Sequence, residues 1–175
     1  MARVYQKCLA NRLKMWELAF VYCCIYSLAL VYIDWRFGHW LEALWFLGPL
    51  WGGQTVLHLI LYLRYEISSR DLIVYVDQDS RRFDVEQNQQ RVTFDKDDIL
   101  ELKLTMGRPV YRIAIFWEYF GYLSITLRSG TVIHVTTLVA PKLYELIPDS
   151  LFEEVHRTTS LYPTPPKRAI VLPES

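Results

Sequence analysis

The sequence predicts a membrane α-helical hairpin followed by an α+β, mostly β, domain: an antiparallel sheet or partly open barrel closed by a C-terminal helix. Three observations carry this. The first 63 residues hold only Arg3, Lys7, Arg12, Lys14 and Arg36 against Glu17, Asp34 and Glu42. Within that charge-poor third lie two apolar runs of membrane-spanning length joined by a short link. From Arg64 onward the texture changes to short alternating runs punctuated by turn residues, with fourteen basic and sixteen acidic residues.

The predicted organisation is a flank over 1–14, the hairpin over 15–64, a β domain over 65–158 and a Pro-rich tail, extended or disordered, over 159–175. The first run, Met15 to Ile33, contains Glu17 as its one charge and is bounded by Trp16, Tyr32 and Trp35, rings that favour the headgroup level. The second, Trp40 to Leu63, is less apolar at its centre, where Gly48, Pro49, Gly52, Gly53 and Gln54 fall. Pro49 removes a backbone donor, so a kink is expected, and the small residues leave room for close helix approach. Asp34 to His39 is too short for anything but a tight turn. Four basic residues precede the first run, which places both termini in the cytoplasm and the turn outside, in a plasma (bacterial inner) membrane. A cleaved signal peptide is the rival reading, with Ser27-Leu28-Ala29 as a loose cleavage match. The apolar run continues with bulky residues to Ile33, which argues against it.

In the domain, Leu72 to Asp77 reads as a strand. Arg81 to Gln87 alternates with Phe83 and Val85 on one face, Asn88-Gln89-Gln90 breaks it, and Arg91 to Phe94 returns. Ile99 to Thr105 sets Leu100, Leu102 and Leu104 against Glu101 and Lys103. One or two strands are expected over Val110 to Tyr119. Phe120 to Arg128 and Thr131 to Thr137 place Leu123, Ile125, Leu127, Ile133 and Val135 inward around a Ser129-Gly130 hairpin turn. Pro141 to Ile147 reads as helical, and Ser150-Leu151-Phe152-Glu153 matches a capping box for a second helical piece ending near Arg157.

Three stretches resemble the bacterial pleckstrin-homology-like domains that follow a transmembrane hairpin in small membrane proteins. They are Asp79-Ser80-Arg81-Arg82-Phe83-Asp84-Val85, Phe94-Asp95-Lys96-Asp97-Asp98-Ile99, and Leu127-Arg128-Ser129-Gly130-Thr131-Val132-Ile133-His134-Val135-Thr136. The resemblance spans roughly residues 65 to 158. It implies a binding or assembly module without enzymatic activity, and names no ligand.

Candidate chemistry is sparse. Gln54 and His58 share a helix face; an ionisable group in a span suggests transport or gating, and otherwise a helix–helix hydrogen bond. Glu17 and Glu42 stand at helix beginnings, where Glu42 suits the helix dipole. The pairs Asp95/Asp97 and Asp77/Asp79 have the D-x-D spacing of some metal-dependent transferase sites, but no further oxygen ligands or nucleotide pocket accompany them, and turn chemistry accounts for them. Arg81 and Arg82 could hold a phosphate, yet Asp77, Asp79 and Asp84 surround them, which argues against anionic-lipid headgroup recognition. Trp117, Tyr119, Phe120 and Tyr122, with Tyr111 and Phe116, form either an exposed partner surface or core. Pro163-Thr164-Pro165-Pro166-Lys167-Arg168 matches a proline-rich ligand pattern. Cys8, Cys23 and Cys24 form no disulfide framework or zinc spacing. No basic stripe points to nucleic acid.

The expectation is therefore a membrane-anchored, non-enzymatic binding or scaffold module. It would need no cofactor or metal, and its partners would be the lipid bilayer and a protein or a second copy. The alternative is a small oligomeric channel or transport accessory.

Overall fold

The structure is a computed structural model, and it describes residues 2–7, 9–77, 82–107, 120–147, 155–160 and 163–173. Strand β1, Ala2–Gln6, comes before any helix. Helices α1, Leu9–Phe37, and α2, Trp40–Ser68, follow with 29 residues each. Gly38, at φ 69°, ends α1 in the left-handed cap conformation that glycine takes without steric cost, and its N–H donates to Asp34 O. The chain turns back at once, so the helices are antiparallel and Trp16 meets His58 and Tyr62. Pro49 lies inside α2 without ending it. Both helices extend beyond the apolar runs, and the expected flank over 1–14 instead holds a strand and the first turns of α1. Among the described residues no helix is long and apolar enough to cross a membrane.

The hairpin is inserted within a sheet. Strand β2, Ile73–Asp77, pairs antiparallel with β1, from Gln6 opposite Ile73 to Ala2 opposite Asp77. Strands β3, Arg82–Gln87, and β4, Gln90–Asp95, complete the order β1-β2-β3-β4. Asn88 and Gln89, at φ 50° and 67°, make the two-residue turn whose twist suits a hairpin. A 3-10 turn, Lys96–Asp98, leads to the second sheet. Its strands are β5, Ile99–Gly107, β6, Gly121–Leu127, β7, Val132–Thr136, β8, His156–Ser160, and β9, Ile170–Val171. The order is β8-β5-β6-β7-β9, with β8 parallel to β5 and the other pairs antiparallel. Gly130, at φ 85°, lies in the turn between β6 and β7, but the loop is three residues, Arg128 to Gly130, rather than the expected two, since Thr126 faces Val132 and Leu127 N donates to Thr131 O. Gly121 lies close under the neighbouring strand: an added Cβ would displace the flexible Met106 side chain and sit 3.2 Å from Thr105 O.

One apolar cluster joins the two sheets, with Leu72, Val74, Val76, Phe83, Val85 and Phe94 from the first and Leu102, Leu123, Ile125, Leu127, Ile133 and Val135 from the second. Phe83 and Phe94 stack with centroids 5.1 Å apart. The inward positions predicted for β3, β6 and β7 are all buried. Strand β5 departs from its alternation. The register shifts between Ile99 and Glu101, and this bulge leaves Leu100 66% exposed while Leu102 is buried.

The C-terminal expectations are corrected. Pro141 to Ile147 is not an α-helix; its centre, Leu143–Leu146, is a 3-10 turn. Pro141 and Pro148 bracket a stretch too short for a helix, and the residue before a proline is steered away from helical geometry. The capping-box match at 150–153 lies outside the described residues, and His156 and Arg157 belong to β8 rather than to a helix. Strands β8 and β9, not a helix, line the outer edges of the second sheet. The tail is not disordered over 163–173: Pro163, Pro165, Ala169 and Ile170 are buried. Proline loses no side-chain rotamer entropy on burial, so a Pro-rich segment can pack at low cost. The strands expected over 110–119 lie outside the described residues. The sheet-rich, mostly antiparallel architecture agrees with the β part of the predicted class.

Candidate functional site

A constellation of polar and aromatic groups lies where the hairpin meets the domain. Tyr65, near the end of α2, is fully buried and packs edge-on against Phe120, with centroids 4.9 Å apart. Phe120 also meets the His58 ring edge-on at 5.2 Å, and Trp16 of α1 approaches His58 from 4.8 Å. His58 is therefore enclosed by aromatic rings from α1 and from the domain. The Tyr65 hydroxyl donates to Pro163 O at 2.8 Å, and burial pushes its phenol pKa up. Asn11 Nδ2 donates to Leu138 O at 3.0 Å, which ties α1 to the segment after β7. Arg12 and Lys7 reach Glu66 Oε1 at 2.7 and 3.5 Å and fasten the start of α1 to the end of α2.

Gln87 is the second feature. It shares the inward face of β3 with Phe83 and Val85 and is buried. Its Nε2 donates to Ser68 O and Arg70 O, both at 3.0 Å. Its Oε1 accepts from Ala169 N at 3.0 Å and Ile170 N at 3.2 Å. One amide thus uses all four of its hydrogen-bonding positions to join the end of α2, the first sheet and the C-terminal segment. The sequence carries a signal for it that is easily passed over: a long polar side chain at the third inward position of an apolar stripe.

Two further groups lie on the sheets. Arg91 makes a two-pronged hydrogen bond and ion pair with the Asp84 carboxylate, and Thr93 Oγ1 donates to it at 2.7 Å. The Arg91 hydrogen bond holds Asp84 down at about 2, below the ordinary 3.8. On the second sheet, Ser124 Oγ lies 2.8 Å from His134 Nδ1. Burial lowers His134 to about 4, so its ring is neutral at pH 7.

The residues singled out in the sequence fall into separate places. Trp117 and Tyr119 lie outside the described residues. Phe120 is fully buried, which removes it from an exposed partner surface, and Tyr122 is half-buried beside His134. Gly48, Gly52 and Gly53 are not where α1 packs closely, since an added Cβ at any of them meets nothing within 4 Å. Gln54 lies on α2, one turn from His58. Asp95 and Asp97 belong to the cap and body of the 3-10 turn, where Asp95 N donates to Asp98 Oδ2 at 2.9 Å. Glu42 stands in the first turn of α2, 3.6 Å from His39 Nδ1. Asp79, Arg81 and Cys8 lie outside the described residues. Among the described residues no group of three His, Cys, Asp or Glu side chains is arranged to hold a metal.

Residues 5–143, well over half of the chain, match the family described as PH domain. The chain belongs to that family. The matched stretch begins in β1 and runs through both helices, so the hairpin falls inside the PH domain rather than ahead of it. No curated protein and no solved structure matches the chain.

Proposed function

We propose that this PH-domain protein is a membrane-anchored, non-enzymatic binding module, held by its helical hairpin in a plasma (bacterial inner) membrane with the sheets on the cytoplasmic side. The observation that carries this is the uncovered apolar surface of the hairpin beyond its base. Phe20, Leu28, Val31, Trp35 and Trp45 are all exposed, Trp45 to 80%. Large apolar side chains exposed in this number along both helices call for a partner. Each helix of 29 residues extends roughly 43 Å, against about 30 Å for a hydrocarbon core. In the complete sequence, Phe46 to Leu63 contains no Asp, Glu, Lys or Arg, and Met15 to Ile33 contains Glu17 alone. The β1–β2 ladder requires both ends of the hairpin to lie on one side, as the distribution of basic residues also does. PH membership and the absence of a recognisable catalytic arrangement in the sequence favour binding of a protein partner over chemistry.

Topology tests the proposal. In a chain with Cys8, Cys23 and Cys24 replaced by serine, single cysteines are introduced as Arg3→Cys, Phe37→Cys and Arg128→Cys. An impermeant maleimide added to intact cells should label position 37 alone, and positions 3 and 128 only after permeabilisation. Equal labelling at all three, with release of the protein by alkaline carbonate, would rule out the membrane hairpin.

A further inference from the structure

The C-terminal segment of residues 163–173 lies on the domain as a strap, and its attachments are unlike those of the other elements. Pro163 O accepts the Tyr65 hydroxyl at one end. Ala169 N and Ile170 N donate to Gln87 in the middle, and Ala169 O accepts from His134 N at 2.7 Å. Only Ile170 and Val171 form a ladder with β7, opposite Ile133 and Val132. By contrast, β6 pairs with five residues of β7 on its other side. Val171 and Leu172 are already exposed, whereas Ala169 and Ile170 are buried.

A strap of this kind has the form of a bound peptide. Its recognition is by backbone: two successive amides go to one side-chain oxygen, one carbonyl goes to β7, and a small residue followed by a branched aliphatic one fills the core. Strand addition to a sheet edge draws affinity from main-chain hydrogen bonds and specificity from alternate side-chain pockets. Because Gln87 also holds the carbonyls of Ser68 and Arg70, the same amide reports on the end of α2.

We propose that the β7 edge and Gln87 form a strand-addition site that the chain's own strap occupies, and that an extended partner segment with a small–aliphatic pair replaces it. This deepens the binding-module reading by naming the site and the chemical class of partner. It does not depend on membrane insertion, so its failure would leave the anchor intact. The partner competes with a tethered strap, and its apparent affinity is reduced by the fraction of chains whose site is open.

The test uses the full chain in detergent and a labelled synthetic peptide with the sequence of residues 163–173. Ile170→Asp loosens the resident strap without touching β7 or Gln87. Fluorescence anisotropy should show the peptide binding this variant at least about tenfold more tightly than the parent chain, and Gln87→Leu added to it should abolish the gain. Hydrogen exchange on the parent chain is the second measurement, valid even if Ile170→Asp fails to fold. The amides of Ala169 and Ile170 should exchange at least about tenfold faster than those of Leu123 and Ile125, through local opening. Peptide binding unchanged by Ile170→Asp in a folded chain, or exchange of the strap amides as slow as β6, would overturn the proposal.

Discussion

The two ends of the helical hairpin are built on different physical terms. At the base, Lys7, Asn11, Arg12 and Trp16 on one side and His58, Tyr65 and Glu66 on the other make directional contacts with each other or with the domain. Away from the base, Phe20, Leu28, Val31, Trp35 and Trp45 present apolar surface outward. The base specifies a geometry, because hydrogen bonds and ring edges have directions. The outer part specifies a solvent, because apolar area has none. An element fixed to a domain at one end and, as proposed here, immersed in a bilayer at the other needs this division.

The comparison can be broken or sharpened by substitution. The largest effect is expected at the base. Phe120→Ala removes a fully buried ring that touches both His58 and Tyr65, and should cost about 3–5 kcal/mol in a denaturant titration of the detergent-solubilised chain. Gln87→Leu should cost about 3 kcal/mol in the same titration, since it strands four backbone groups at once; a loss below about 1 kcal/mol would show that the amide is not a structural junction.

Acid should weaken the domain through His134. Its folded pKa is lowered to about 4 from 6.5, so the unfolded chain takes up a proton first. The contribution is fully present above pH 6.5 and is lost as pH falls to about 4, by up to about 3 kcal/mol. His134→Gln should flatten the dependence of the unfolding midpoint between those pH values. At the outer part of the hairpin, Trp45→Ala should change domain stability by less than about 0.5 kcal/mol while weakening retention in carbonate-washed membranes. The smallest effect belongs to the exposed Asp84–Arg91 pair. Arg91→Ala should let the Asp84 carboxyl rise from about 2 toward 3.8 in an NMR titration, with little change in midpoint, as is usual for surface ion pairs.

What the sequence made legible follows the locality of the signal. Strands β3, β4, β6 and β7 are joined by two-residue or short turns, and their alternation survives because their partners are adjacent in the chain. Strand β1 was illegible: five residues, Ala-Arg-Val-Tyr-Gln, gain strand character from β2 on the far side of the hairpin. Leu100 was assigned inward because alternation cannot reveal a bulge. The packing of the strap is not legible either, because proline content marks the absence of local regular structure, not the absence of a docking surface. Of the candidate site, His58 stands out in the sequence as an ionisable group in an apolar run, but the rings of Trp16 and Phe120 that surround it come from elements distant in the chain and cannot be read from that run. Gln87, Tyr65 and Asn11 were missed, since each acquires its role from a backbone group 17 to 127 positions away.

The position of the hairpin between β1 and β2 has a consequence for biogenesis. During synthesis β1 leaves the ribosome first and has no strand to join until both helices have emerged and β2 follows. If one helix failed to enter the bilayer, or the pair entered in the wrong sense, β1 and β2 would be left on opposite faces or on the wrong one. The first sheet could then not close in the cytoplasm. In the membrane-anchored arrangement proposed above, completion of the sheet would serve as a proofreading step for topology, in which a misinserted chain announces itself by an unmade edge.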